Sequence, residues 1–266
     1  MRFIFLPLIL SAALLAGGCS DDGTKDDPYA DWSAKDFYQQ ARRSLDAGEF
    51  QTAIENLESL EARFPFSSYA KQAQLDVAYA YYKFDEPDSA ITAADRFLRL
   101  NPRDPNVDYA WYLKGLANFT RGNGFLDSWF PRDLSQHDTK TMKDAIQDFS
   151  TLVRRYPDSK YSGDAYRRLV YLRNKLADHE IHVAEYYLKR QAWLAAAKRA
   201  QYTLENYQQT PASRRALEIL VTAYGELQLP QLVADAQQVL DANKLPAAQT
   251  AELEQTDLQA PAASLN

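Results

Sequence analysis

The sequence predicts an all-α protein, a solenoid of about five stacked helical hairpins, and three observations carry that prediction. From Asp31 onward apolar residues recur at three- and four-residue intervals, glycine is scarce at 9 in 266 residues, and no strand-like alternation persists. Proline falls between the periodic segments, where it ends a helix instead of kinking one. Small residues and prolines return at a fixed interval: Ala41, Ala78 and Gly115 are 37 residues apart, as are Ala53 and Ala90, and Pro65 and Pro102.

Within a unit, the first small residue lies 12 positions before the second and the proline 12 further on. Antiparallel helices approach closely where a small side chain lets their backbones meet, and proline then closes the second helix. The pattern resembles the tetratricopeptide repeat, lengthened here to 37 residues. Units near 34–70 and 71–107 follow it directly. The third, 108–158, carries Trp111 and Gly115 in its first helix and Ala145, Phe149 and Pro157 in its second, with 18 additional residues between. In the fourth, 159–210, Ala184, Ala196 and Gln208 keep the 12-residue steps, and its extra length predicts a long first helix starting near Ser162. A weaker fifth, 211–245, places Val221 and Val233 at the small-residue sites. The solenoid thus spans 32–245, and the polar tail 246–266 is expected to be disordered.

Thirty Lys and Arg against 36 Asp and Glu give a net charge of −6, which argues against nucleic acid as a partner, since phosphate contacts need clustered positive charge. The sequence contains no glycine-rich phosphate loop and no GxSxG elbow. His179 and His182 lie i, i+3 beside Glu180 and Glu185, but such a pair without a third ligand reads as a solvated helix face. No catalytic residue, metal or cofactor is assigned, and the chain is expected not to be an enzyme.

The single cysteine, Cys19, follows Arg2 and an apolar stretch from Phe3 to Ala16 that is too short to span a bilayer and fits an export signal over 1–18. The residues before it, Leu15-Ala16-Gly17-Gly18, resemble the lipobox of bacterial lipoproteins, although the usual leucine three places before the cysteine is Ala16 here. That resemblance implies cleavage before Cys19, a diacylglyceryl group on its sulfur and a further acyl chain on the new amino terminus. At about 0.8 kcal/mol per buried methylene, several chains make a stable anchor. Residues 19–31 are polar and read as a flexible tether. Aspartate after the cysteine marks inner-membrane retention in such lipoproteins. Ser20 stands there instead, implying the outer membrane and a periplasm-facing body.

Stacked hairpins turn their first helices to the concave side, where repeat proteins bind extended peptides. By likeness to other tetratricopeptide proteins, the stripe facing that groove contains Tyr38, Arg42 and Leu45, then Leu75, Tyr79 and Tyr82, then Tyr109, Tyr112, Leu116 and Phe119. Aromatic groups there suit anchoring of apolar peptide side chains, and they suit packing between helices equally. The insertion at 120–142 carries Phe125, Leu126, Trp129 and Phe130, a further contact candidate. Arg173, Lys175, Arg190, Lys198 and Arg199 give one region a basic character in an acidic chain, as docking to an acidic protein or as ordinary helix-surface charge.

Several stretches, "RFPFSSYAKQAQLDVAYAYYK", "RLNPRDPNVDYAWYLKGL", "DFSTLVRRYPDSKY", "RLVYLRNKLADHE" and "VAEYYLKRQAW", resemble the BamD family of outer-membrane assembly lipoproteins. The resemblance implies five repeats, a lipid anchor, and binding of the periplasmic POTRA region of the barrel protein BamA through the C-terminal repeats. It also implies contacts with companion lipoproteins of the same machine and recognition of the aromatic-rich C-terminal strand of unfolded barrel proteins. A different role, a tetratricopeptide adaptor lipoprotein that regulates peptidoglycan synthesis or cell division, would fit the same anchor and repeats.

Overall fold

The computed structural model describes residues 27–121 and 139–243, and every regular element among them is an α-helix. Cys19, the aromatic residues of the insertion and the C-terminal tail lie outside the described residues. The helices pair as hairpins: α1 (Ala34–Ala47) with α2 (Phe50–Arg63), α3 (Ala70–Lys83) with α4 (Pro87–Leu100), and α5 (Val107–Thr120) with α6 (Thr139–Arg155). Then α7 (Ser162–Lys189) pairs with α8 (Trp193–Asn206), and α9 (Ala212–Glu226) with α10 (Pro230–Ala242).

Local chemistry sets the boundaries. Ser33 and Asp36 form a reciprocal capping box at the start of α1, and Gly48 ends that helix in a left-handed conformation. Pro87 and Pro230 stand at the first positions of α4 and α10, where the missing N–H costs nothing. Helices α2, α4 and α6 each stop two residues before Pro65, Pro102 and Pro157, because the residue preceding a proline is pushed out of the helical region. Phe64 and Asn101, at those places, have φ of −130° and −127°. The turns inside hairpins also recur: Gly48, Asp85, Gln191 and Gln228 all have positive φ, the last three at 57–61°. Only the first is glycine, so the others carry a local cost of about 1 kcal/mol each.

The 37-residue register is the packing register. Ala41, Ala53, Ala78, Ala90, Ala145, Ala184 and Ala196 are all at most 1% exposed and sit where helices cross. Gly115 shows why the site must stay small: a Cβ there would lie 2.5 Å from Cε1 of Phe149, whose ring is fully buried and cannot swing away. Gly115→Ala is therefore expected to destabilise the protein by about 1–3 kcal/mol, the clash outweighing the roughly 1 kcal/mol gain in helix propensity. Chemical denaturation of the variant checks this. A stabilised variant would mean that the α5–α6 crossing yields.

Helix α7 has 28 residues, about 42 Å at 1.5 Å per residue, and begins at Ser162 as the spacing predicts. It bridges two units: it packs on α6, α8 and α9, and one continuous apolar cluster runs from Tyr112 to Ala236 along it. First helices also touch one another, α1 with α3, α3 with α5 and α7 with α9, which puts them on the inner side of the stack. Among the described residues no helix is long and apolar enough to cross a membrane.

Candidate functional site

The inner face carries a row of aromatic rings bound together by buried charge. At its N-terminal end Asp76 of α3 is almost fully buried and accepts hydrogen bonds from the Tyr38 hydroxyl (3.0 Å) and from Nε2 of Gln72 (2.8 Å). Burial pushes the Asp76 carboxyl above its usual range, although these two donors and Arg42 oppose it. Burial and the neighbouring carboxylate together push Tyr38 up to about 12. Arg42 reaches Asp76 at 3.9 Å and Asp46 at 3.8 Å, both loose contacts, and its side chain stays 48% exposed. It is a cation held over the groove but not consumed by it.

Farther along, Tyr109 and Tyr112 of α5 stack on Tyr161, with ring centroids 5.1 and 4.8 Å apart. Tyr161 stands immediately before α7, as Tyr69 stands before α3, where it lies 5.2 Å from the Tyr38 ring. Below the stack, the Tyr112 hydroxyl donates to Oδ2 of Asp164 (2.8 Å), and Nε of Arg168 donates to the same oxygen at 2.5 Å. Arg168 is 0% exposed and its guanidinium lies 5.1 Å over the ring of Phe119. Burial disfavours the Asp164 charge, but the bonds from Arg168 and Tyr112 win and hold the carboxyl below the usual range. Burial likewise raises Tyr109, Tyr112 and Tyr82.

The stripe expected from the sequence therefore divides. Tyr38, Tyr79, Tyr82 and Phe119 are half-buried and Arg42 is exposed, which leaves them surface to offer. Leu45, Leu75, Tyr112 and Leu116 are buried, and Tyr112 corrects the open-groove expectation: at 2% exposed, it is spent on Asp164 and Tyr161. Sequence reasoning missed Tyr69, Tyr161, Asp164 and Arg168. A signal existed for the two tyrosines, each four residues after a repeat proline, Pro65 and Pro157. A 340 Å³ cleft on the far side, between α2 and α4, is the weaker candidate because its polar groups already pair, the Tyr81 hydroxyl with Glu58 (2.6 Å) and Arg96 with Glu61.

The basic region does not form a single patch. Arg199 of α8 pairs with Glu180 of α7 at 3.0 Å, while Arg173 lies seven residues before Glu180 on α7 and Arg190 ten after it. At 1.5 Å per residue these two are about 25 Å apart along the helix. Arg190 covers the exposed ring of Tyr186 at 5.0 Å, and Lys198 is exposed. From α9, Arg215 reaches across to Glu185 at 2.7 Å. The result is a mixed-charge strip along α7, α8 and α9. Among the described residues, no group of three or more His, Cys, Asp or Glu side chains could hold a metal ion.

Comparison with known proteins bears on this arrangement. The family model described as YfiO, outer membrane lipoprotein, matches residues 30–240. Outer membrane protein assembly factor BamD of Neisseria meningitidis serogroup B is 44% identical over 246 residues, 91% of each chain. The protein of the same name from Vibrio cholerae is 37% identical, covering 92% of this chain and all of its own. Among solved structures, the crystal structure of MamA aligns with a TM-score of 0.40 at 16% identity, over 88% of this chain and 98% of that one. With a match over the whole repeat body and such identity across nine-tenths of its length, the chain belongs to the YfiO/BamD family of outer-membrane protein assembly factors.

Proposed function

We propose that this protein is a non-enzymatic, lipid-anchored scaffold that captures unfolded outer-membrane barrel proteins and hands them to the barrel-inserting machine. The observation that carries the capture step is the half-buried aromatic row Tyr38, Tyr79, Tyr82 and Phe119 on the inner face, with the exposed guanidinium of Arg42 at one end. The clients that the family resemblance implies present an aromatic-rich C-terminal strand, and a chain end carries a carboxylate. Rings of this kind bury the former, and Arg42, loosely held, can pair with the latter. Lipid on Cys19 would keep the groove beside the membrane into which the client is to be inserted.

Docking to the POTRA region of BamA is assigned to the strip along α7, α8 and α9, with Arg173, Arg190, Lys198 and Arg199 setting orientation. Charges spread along about 25 Å of helix suit an extended interface more than a point contact. Companion lipoproteins of the machine are further partners. The family assignment supports this reading over the adaptor of peptidoglycan synthesis.

The capture step is tested with a peptide matching a barrel protein's C-terminal strand. Tyr79→Ala combined with Tyr82→Ala should weaken binding by about 2 kcal/mol or more, some thirtyfold, with helical content retained. Unchanged affinity would reduce the row to packing. Tyr112 is excluded from this pair, because its loss would unsettle Asp164.

A further inference from the structure

We propose that the end of the solenoid at which α2 and α4 terminate lies against the membrane surface, with the Phe66 ring inserted among the lipid headgroups. Phe66, in the turn between α2 and α3, is 100% exposed, whereas the other exposed large apolar side chains among the described residues lie between 40% and 60%. A fully solvated phenyl ring buries no apolar area within the fold, which leaves all of it available to a surface outside the monomer. The residue after the repeat proline is polar in the neighbouring units, Arg103 after Pro102 and Asp158 after Pro157, and apolar only after Pro65. Leu100, 59% exposed, and Tyr29, 41% exposed, lie at this same end.

The occupant follows from where the chain before α1 is fastened. Arg63, three residues from Phe66, pairs with Asp27 and donates to the Tyr29 carbonyl at 3.2 Å, while Tyr29 and Trp32 pack on Phe37, which in turn meets Phe64. Asp27 is eight residues from Cys19, so a lipid on that sulfur can be no more than about 28 Å of chain from the Arg63 turn. The aromatic turn thus lies where the chain leading to the attachment point joins the body. Charge at this end permits the approach: Arg63 is neutralised by Asp27 and Lys71 by Asp104 (3.0 Å), while Lys35, Arg99 and Arg103 are exposed, as is Asp31. Exposed aromatic and basic side chains together are what an interface of phospholipid headgroups accepts.

This rests on the lipidation of Cys19 proposed above, which the mass of the protein from solubilised membranes settles separately. The lipidated full chain carrying Phe66→Trp is reconstituted into vesicles of phosphatidylethanolamine and phosphatidylglycerol with brominated acyl chains. If Cys19 proves to carry no lipid, its thiol, the only one in the sequence, is coupled to a maleimide lipid in the same vesicles. After subtraction of wild-type emission, the introduced indole should shift to the blue and lose about half its intensity or more, as burial 5–10 Å into the headgroup boundary brings it near bromine. Phe84→Trp, in the turn at the opposite end of α3, should be unaffected. Equal quenching at both positions, no quenching at 66, or a blue shift at 66 that needs the assembly partner and not lipid would overturn the proposal.

Discussion

Arg168→Met should lower the free energy of unfolding by about 3 kcal/mol, the lower end of the loss expected when one member of a buried ion pair is removed, because Asp164 stays 16% exposed and keeps Arg167 at 3.2 Å. Arg168 is fully buried, its bond to Asp164 is short, and Asp164 also holds Tyr112, which stacks on Tyr161. The substitution therefore unseats the joint between α5 and α7. Replacing both members, Arg168→Met with Asp164→Leu, removes the unpaired carboxylate but strips the buried Tyr112 hydroxyl of its acceptor, at about 1–3 kcal/mol, so the two changes should cost less than the sum of the single ones. The pH dependence has a definite sign. Asp164 titrates below its unfolded range, so its contribution is complete above the unfolded value and disappears as pH falls through the folded one. In Arg168→Met that acid-side loss should shrink, because the guanidinium that does most to hold the carboxyl down is gone and only Tyr112 and Arg167 remain. Urea unfolding at neutral pH and near pH 3 reads both effects, and equal stability of wild type and variant at neutral pH would contradict the role given to the pair.

Arg199→Glu should abolish measurable docking to the BamA periplasmic region, or weaken it by about 2 kcal/mol or more, beyond what its own cost in stability explains. The wild-type pair with Glu180 is 3.0 Å long; Arg199 is 46% exposed but Glu180 is buried, so reversal also costs stability by leaving that carboxylate beside a like charge. Reversal places two carboxylates together at the middle of the proposed interface, so docking is measured at a temperature where circular dichroism shows the variant folded. Lys198→Glu, on an exposed neighbouring position, should mainly slow association and should lose its effect as salt is raised. Surface-bound kinetics at two ionic strengths separate these outcomes. Wild-type affinity in Arg199→Glu would remove the strip along α7 to α9 from the interface.

The repeat register was legible in the sequence because it is set by steric exclusion. Ala41, Ala78 and Gly115 recur where no larger side chain fits, and Gly115 against Phe149 shows the constraint in ångströms. Helix ends were legible because Pro65, Pro102 and Pro157 act on the residue before them. The left-handed turns at Gln191 and Gln228 were not, since glutamine carries no preference for that conformation and is held there by the hairpin. The inner stripe was half legible. Helical spacing says which residues face inward, but whether a tyrosine stays open or closes depends on what arrives from another hairpin. Tyr112 closes because Asp164, 52 positions later, reaches its hydroxyl. Tyr79 and Tyr82 stay partly open, and nothing local distinguishes them from Tyr112. The buried Arg168 was invisible for the same reason: an arginine in a helix reads as surface until a distant ring, here Phe119, covers it.

Capture of a client on the inner face is decided by a photo-crosslinking amino acid placed at position 79 in the full-length protein in cells, with position 92 on the far side of the repeat as control. Adducts from 79 to the C-terminal strands of newly exported barrel proteins, and none from 92, are the predicted result. Adducts from 92, or from neither position while barrel proteins are still being assembled, would contradict it.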